Sequence, residues 1–269
     1  MSYVAWGDEL RAITFDFGNT LVAVDRAALH RVVEATAAAV VIRLGPFDVD
    51  RFLAIWAEER ERQFREEVPQ FREVDLGERF VRVLARLRGM APPAPDGRWS
   101  QLEAGRLSEP AEISWAVETY SGAFVDALPP PSGVERLLER LARRRRLAIL
   151  SNWPLALTID RYVEAAGWAP HLAAVVVSQR VGTIKPHPAI FAATAAALGN
   201  PPARTILHVG DDWTADVVGA ARVGWRTAYL DARPADSPLP SSDRDTTVVP
   251  DLELTALGDL AMFLGPEER

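Results

Sequence analysis

Four short segments carry the residues whose types and positions could do chemistry. Asp16 ends the apolar run Ala12-Ile13-Thr14-Phe15 and opens a Gly18-Asn19-Thr20 turn, while Ser151 and Asn152 follow Leu147-Ala148-Ile149-Leu150. Lys185 sits in Gly182-Thr183-Ile184-Lys185-Pro186, and Asp211, Asp212 and Asp216 cluster after the run Thr205 to Val209. Carboxylates gathered at strand ends raise one another's pKa unless a cation stands among them, and their hard oxygens suit Mg²⁺. Each residue also has a plainer reading. An Asp after a strand is often a turn former, Ser151 alone a cap, and acids at a helix start complement its dipole. Lys185 is the only lysine among 30 basic residues. A compact point charge between carboxylates is a place where Arg does not substitute for Lys.

The elements that must hold these residues alternate. Strand-like runs at Ala12–Phe15, Leu147–Leu150, Ala174–Ser178, Thr205–Val209, Arg226–Leu230 and, weakly, Thr246–Val249 are separated by helical stretches at Leu157–Ala166, Pro188–Leu198, Ala215–Val223 and Leu254–Phe263. This βαβ alternation predicts a doubly wound, Rossmann-like parallel sheet in an α/β fold. After the first strand the pattern turns wholly helical, from Asp25 to Phe124. Ala27–Leu44 stops at Gly45-Pro46, Asp48 caps a second helix running to Glu67, Asp75–Arg88 is amphipathic, and further helical patterns cover Trp99–Leu107 and Pro110–Leu128, with a Pro/Gly-rich loop at Ala91–Gly97. The expected division is an α/β core of residues 1–22 and 129–269, with an all-helical cap domain at 23–128. The Pro-, Ser- and Asp-rich stretch Asp231–Asp245 reads as an exposed, mobile excursion.

With 269 residues, 48% hydrophobic and 25% charged, the chain has the composition of a soluble globular protein. A net charge of -7 gives no reason to expect nucleic acid as a partner; the basic run Arg143–Arg146 reads as a solvated helix end. The absence of Cys excludes thiolate chemistry. No signal-peptide core or membrane-length apolar run is present, so no membrane partner and a cytoplasmic location are expected.

In this order around an α/β alternation, the four segments resemble the haloacid dehalogenase-like superfamily of hydrolases, and the helical block resembles its cap inserted after the first strand. The resemblance implies a phosphatase acting on a small phosphorylated metabolite through an aspartyl-phosphate. Asp16 would be the nucleophile. Asp16, Asp211 and the backbone carbonyl of Gly18 would hold Mg²⁺, with Asp212 and Asp216 supporting. Ser151, Asn152, Asn19 and Thr20 would hold the phosphate, and Lys185 would offset charge on Asp16 and the phosphate.

One position departs from the pattern. Most phosphatases of this superfamily carry Asp two residues after the nucleophile as proton donor to the leaving group, and here that position is Gly18. A missing general acid costs roughly a hundredfold to ten-thousandfold for poor leaving groups, so slow turnover or a preference for activated esters is expected. Two other readings stand beside the phosphatase. One is a 2-haloacid dehalogenase using the same Asp without metal, and the other is an inactive fold that binds a phosphometabolite or a protein partner. Among the cap aromatics Trp56, Phe64, Phe71, Trp99, Trp115 and Tyr120, the sequence does not separate pocket from core. The Arg- and Glu-rich stretch Glu58–Arg72 reads as a solvated, ion-paired face, and His187, Trp153 and His208 read as structural or as pocket walls, with no partner indicated by their spacing.

Overall fold

Short apolar runs separated by amphipathic helices bury both faces only as parallel strands between helical layers. The computed structural model, which describes residues 4–92, 105–245 and 247–264, has this arrangement. Its strands are β1 (Ala12–Phe15), β2 (Arg146–Ser151), β3 (Ala174–Val177), β4 (Ile206–Gly210), β5 (Arg226–Leu230) and β6 (Leu252–Leu254). They form one parallel sheet in the order β3-β2-β1-β4-β5-β6. Phe15 is level with Ile149 of β2 and Val209 of β4. The ends of these three strands therefore open side by side where the strand order reverses, the crevice in which such sheets bind ligands.

Between β1 and β2 lie α1 (Arg26–Leu44), α2 (Val49–Glu66), α3 (Leu76–Leu87) and α4 (Pro110–Ala127). Asp25, Asp48 and Asp75 each accept from a backbone N–H in the first turn of their helix, at 2.6 to 2.9 Å. Helices α1 and α4 pack together, as do α2 and α3, and α4 also lies on α6 (Ala156–Ala165), beyond α5 (Val134–Ala142). Phe17, Phe124, Trp153 and Tyr162 interlock edge-on or tilted at centroid distances of 5.2 to 6.3 Å, joining the helical block to the sheet core. The expected loop 91–97 and helix 99–107 fall largely outside the described residues, as does Trp99. No helix of the described residues is long and apolar enough to cross a membrane.

The remaining elements are α7 (Ser178–Val181), α8 (Pro188–Ala197), α9 (Gly219–Arg222) and α10 (Leu260–Phe263). Two boundaries differ from expectation. The sixth strand is Leu252–Leu254, not Thr246–Val249: Pro250 has no N–H for a ladder, Val249 is exposed, and Leu252 and Leu254 bury their side chains beside β5. The last helix correspondingly begins at Leu260, because Leu254 belongs to that strand.

Candidate active site

Lys185 organises the site. It is 2% exposed, and its ammonium donates to Asp16 Oδ1 at 2.7 Å, Asp216 Oδ1 at 2.6 Å and the Leu150 carbonyl at 2.9 Å, which uses all three protons. Asn152 fixes the lysine's backbone from both ends of its amide, accepting from Lys185 N at 2.7 Å and donating to Lys185 O at 3.0 Å. Asp216 arrives through an unusually wide helical turn, Trp213–Val218, that leads into α9. It packs so closely beneath β4 that a Cβ on Gly210 would lie 2.1 Å from its Cγ. Only glycine fits at 210.

The electrostatics follow from burial and from that lysine. Burial alone would raise Asp216, but the Lys185 charge and the donors around it hold its carboxyl well below the usual range. Its Oδ2 also accepts the Asp212 N–H at 3.0 Å. Asp16 is raised by burial, with Lys185 opposing and Asp216 adding to the rise. Asp211 is raised by burial and then by the charges of Asp16 and Asp216, against which Arg233 acts. Burial would lower Lys185, yet the two carboxylates more than reverse this and keep it charged.

His208, for which the sequence indicates no partner, belongs to the same network. Its Nε2 lies 2.9 Å from Asp216 Oδ1, and Thr14 Oγ1 lies 2.8 Å from its Nδ1. Burial lowers its pKa, so the ring is neutral. The network then assigns Nε2–H as donor to Asp216 and Nδ1 as acceptor from Thr14. His208 lies on β4 and Asp216 in the helical turn that follows, so no periodicity of a single element advertises the pair. His187 caps α8 through Nδ1, and Trp153 is a wall beside Gly18.

Carboxylate oxygens of Asp16, Asp211 and Asp216 lie within 4.8 Å of one another, all buried. Ser151 Oγ is buried without a hydrogen-bond partner and lines, with Asp16, Gly18, Asn19 and Asp211, a cavity of about 480 Å³. Thr20 Oγ1 is buried and unpartnered as well, away from the cavity wall. Asn19 uses its side chain on the chain itself, accepting from Val24 N at 3.1 Å and donating to Ser237 Oγ at 3.0 Å. Asp212 caps the wide turn through Ala215 N at 2.7 Å and accepts from Ser242. Of the aromatics, Phe64, Phe71 and Tyr120 line the cavity, Trp56 is buried in the helical block, and Trp115 lies under the Arg43 guanidinium.

The segment 231–245 is a strap across the site rather than a free excursion. Arg233 donates to Asp211 Oδ2 at 3.0 Å and to the Pro240 and Leu239 carbonyls, and Ser242 meets Asp212 and Thr214. Arg60 of α2 donates to Pro238 O at 2.9 Å, so the strap bridges the sheet and the helical block. Leu239 lies over Gly18: a Cβ at 18 would be 2.5 Å from Leu239 Cδ1 and 3.1 Å from Trp153 Cζ3.

The site thus places an aspartate at a cavity on the switch point of a Rossmann-like sheet, charge-paired through one buried lysine. Residues 10–224 match the haloacid dehalogenase-like hydrolase family, and the chain belongs to it. A phosphoserine phosphatase of Thermus thermophilus is 31% identical over 195 residues, spanning 58% of this chain and 78% of that protein. The pyrimidine 5'-nucleotidase YjjG of Escherichia coli is 28% identical over 146 residues, 51% of this chain, and the match spans only 63% of its own length. Among solved structures, a 2-haloacid dehalogenase from Pseudomonas syringae superposes with a TM-score of 0.64 at 22% identity, covering 95% of this chain and 98% of that one. A phosphatase of the family from Thermococcus onnurineus gives 0.60 at 19%, covering 97% and 100%. These superpositions establish a shared fold.

Proposed function

We propose that the chain is a cytoplasmic, Mg²⁺-dependent phosphatase that hydrolyses a small phosphate ester through an aspartyl-phosphate, with residues 23–128 serving as its cap. The observation that carries this reading is the buried trio Asp16, Asp211 and Asp216 around one lysine. Asp211 is the member that a metal-free dehalogenase does not need, since its charge would repel a carboxylate substrate. The donor set fits Mg²⁺: hard carboxylate oxygens, crowded enough that burial and mutual repulsion raise the pKa values of Asp16 and Asp211. Asp16, Asp211 and the Gly18 carbonyl would hold the ion, which when bound screens the phosphate and lets two anions approach.

The chain's own residues supply the rest. Asp16 Oδ1 is held by Lys185, which leaves Oδ2 to attack phosphorus. The P–O bond to the alcohol breaks, and the alkoxide takes a proton from solvent because Gly18 has none to give. Water then attacks phosphorus, regenerating Asp16 and releasing inorganic phosphate. Ser151 Oγ is free to donate to a phosphoryl oxygen. Asp216, with His208 behind it, positions Lys185.

The test is phosphate release from p-nitrophenyl phosphate and from an alkyl phosphate, with Mg²⁺ or with EDTA. The expected result is Mg²⁺-dependent turnover, faster on the aryl ester and abolished by Asp16→Asn. Chloride release from 2-chloropropionate with EDTA, and no phosphate release from either ester, would overturn it.

A further inference from the structure

Helices α2 and α3 face each other through a ladder of polar side chains whose rungs differ in charge. At one rung, buried Glu59 accepts from Arg62 and Arg82 at 2.8 Å each and from Arg86 at 3.1 Å. One helical turn further along α2 and one turn back along α3, the rung pairs Gln63 with Arg79. Arg79 Nε donates to Gln63 Oε1 at 2.8 Å, and Gln63 Nε2 donates onward to the Asp75 carbonyl at 2.9 Å. A neutral amide thus stands where the neighbouring rung has a carboxylate.

Arg79 is 4% exposed and lies 5.1 Å from the Trp56 ring centroid, yet no carboxylate reaches ion-pairing distance of it among the described residues. Its two Nη groups find no protein acceptor there. Burial pulls its pKa down to about 10, which still leaves it cationic at neutral pH. Burying a cation without a counter-charge is strongly unfavourable. The one acid of the neighbouring segment that also lines the cavity, Glu73, is engaged by Ser178 instead. Arg79 lines the same cavity as Asp16, Ser151 and Lys185, and Arg60 and Tyr120 line it too. Arg60, stacked 4.8 Å over Phe64, bonds, among the described residues, a carbonyl of the strap and no carboxylate. On the helical-block side of the cavity, Arg79 and Arg60 thus stand, among the described residues, without an ion-paired carboxylate.

We infer that Arg79, assisted by Arg60, is the receptor for a second anionic group of the substrate, a carboxylate or second phosphate on the same small molecule whose ester faces Asp16. This rests on the phosphatase reading for the first phosphate only. A planar guanidinium with both Nη groups free matches either anion through paired hydrogen bonds. Gln63 holds the fork through Nε and leaves those groups open.

The test measures binding by calorimetry with Mg²⁺ present, using 3-phosphonopropionate, its neutral counterpart 3-phosphonopropionamide, and propane-1,3-bisphosphonate. The unaltered protein is expected to bind at least one of the doubly anionic probes tenfold or more tightly than the amide, and which of them gains more identifies the second anion. Gln63→Glu gives Arg79 an internal counter-ion without removing a side chain, and it should bring that ratio close to one. Arg79→Gln should do the same. Equal affinities for the three probes, no binding of any, or a ratio unchanged in both variants overturns the inference. Turnover of phosphate esters is measured separately, so selective binding without hydrolysis would count against the phosphatase reading and in favour of the anion receptor.

Discussion

Glu73 gives the protein a pH dependence that can be isolated in one comparison. It follows the turn after α2, lies partly buried at the cavity wall, and is pushed up to about 7 from its ordinary 4.5 by burial. The groups facing it divide. Asp75 adds to the rise, while Arg79, the Ser178 hydroxyl and the Val74 N–H act against it. Between about pH 4.5 and 7 the folded state thus holds a proton that the unfolded chain has released. Stability from this group is complete below the unfolded pKa and is lost as pH rises through the folded one. At about 1.4 kcal/mol per pH unit, the loss totals roughly 3 kcal/mol, a substantial part of a typical folding free energy. Glu73→Gln removes the titration and keeps the shape. Urea unfolding of both proteins between pH 4.5 and 8 in EDTA compares them, because every other titrating group is common to the pair. The variant should gain steadily on the parent from pH 4.5 to about 7, by up to about 3 kcal/mol, and then run parallel. Parallel curves throughout, or a variant that loses ground as pH rises, would refute the reasoning.

Three further outcomes follow from the contacts at the site. Gly18→Asp alone should cost about 1–3 kcal/mol by overpacking against Leu239. Combined with Leu239→Ala it should narrow the rate gap between aryl and alkyl phosphates by about a hundredfold; an unchanged gap would mean that the proton is not what limits the alkyl ester. Lys185→Met breaks two buried ion pairs and should cost about 3–5 kcal/mol in urea unfolding, together with at least a hundredfold in turnover; a variant as stable as the parent would contradict the account of Lys185. Arg233→Gln frees both Asp211 and the strap. Proteolysis within 231–245 should quicken, and half-saturating Mg²⁺ should fall roughly fivefold for a pair worth about 1 kcal/mol; a rise would show that Arg233 helps to form the site instead of competing for it.

The legible parts of the chain were those encoded locally. The β1, β2, β4 and β5 runs are apolar because both faces of the sheet are covered, and Asp25, Asp48 and Asp75 mark helix starts by cap chemistry alone. Asp16, Lys185 and Asp211 were grouped in advance through the resemblance to the haloacid dehalogenase-like pattern, and the structure brings all three to one cavity. The strap could not be read in advance. Its anchors, Asn19 to Ser237 and Arg60 to Pro238, are 218 and 178 residues apart in sequence, and a Pro- and Ser-rich composition reads as loop whether or not it is pinned. His208 was hidden for the same reason, since its partner Thr14 lies 194 residues away on the neighbouring strand. Arg79 was missed because its significance lies in what faces it: a glutamine on another helix where the previous rung has a glutamate.

Charge at the site accounts for more than any single contact. Three carboxylates, one lysine and Arg233 leave the buried cluster with about one negative charge while His208 is neutral. Left so, it would repel a phosphate dianion, and the neighbouring carboxylates add to the rise that burial imposes on Asp16 and Asp211. Under the proposed function a divalent cation would change the sign to about plus one, and an incoming dianion would return it to about minus one. The cluster would thus change by small steps around neutrality, which buried groups tolerate far better than any larger imbalance. Leu239 and Trp153 pack over Gly18, the position at which the superfamily pattern of the sequence analysis has a second Asp. Proton donation to the leaving group and an apolar lid compete for this one space, and the chain has filled it with the lid.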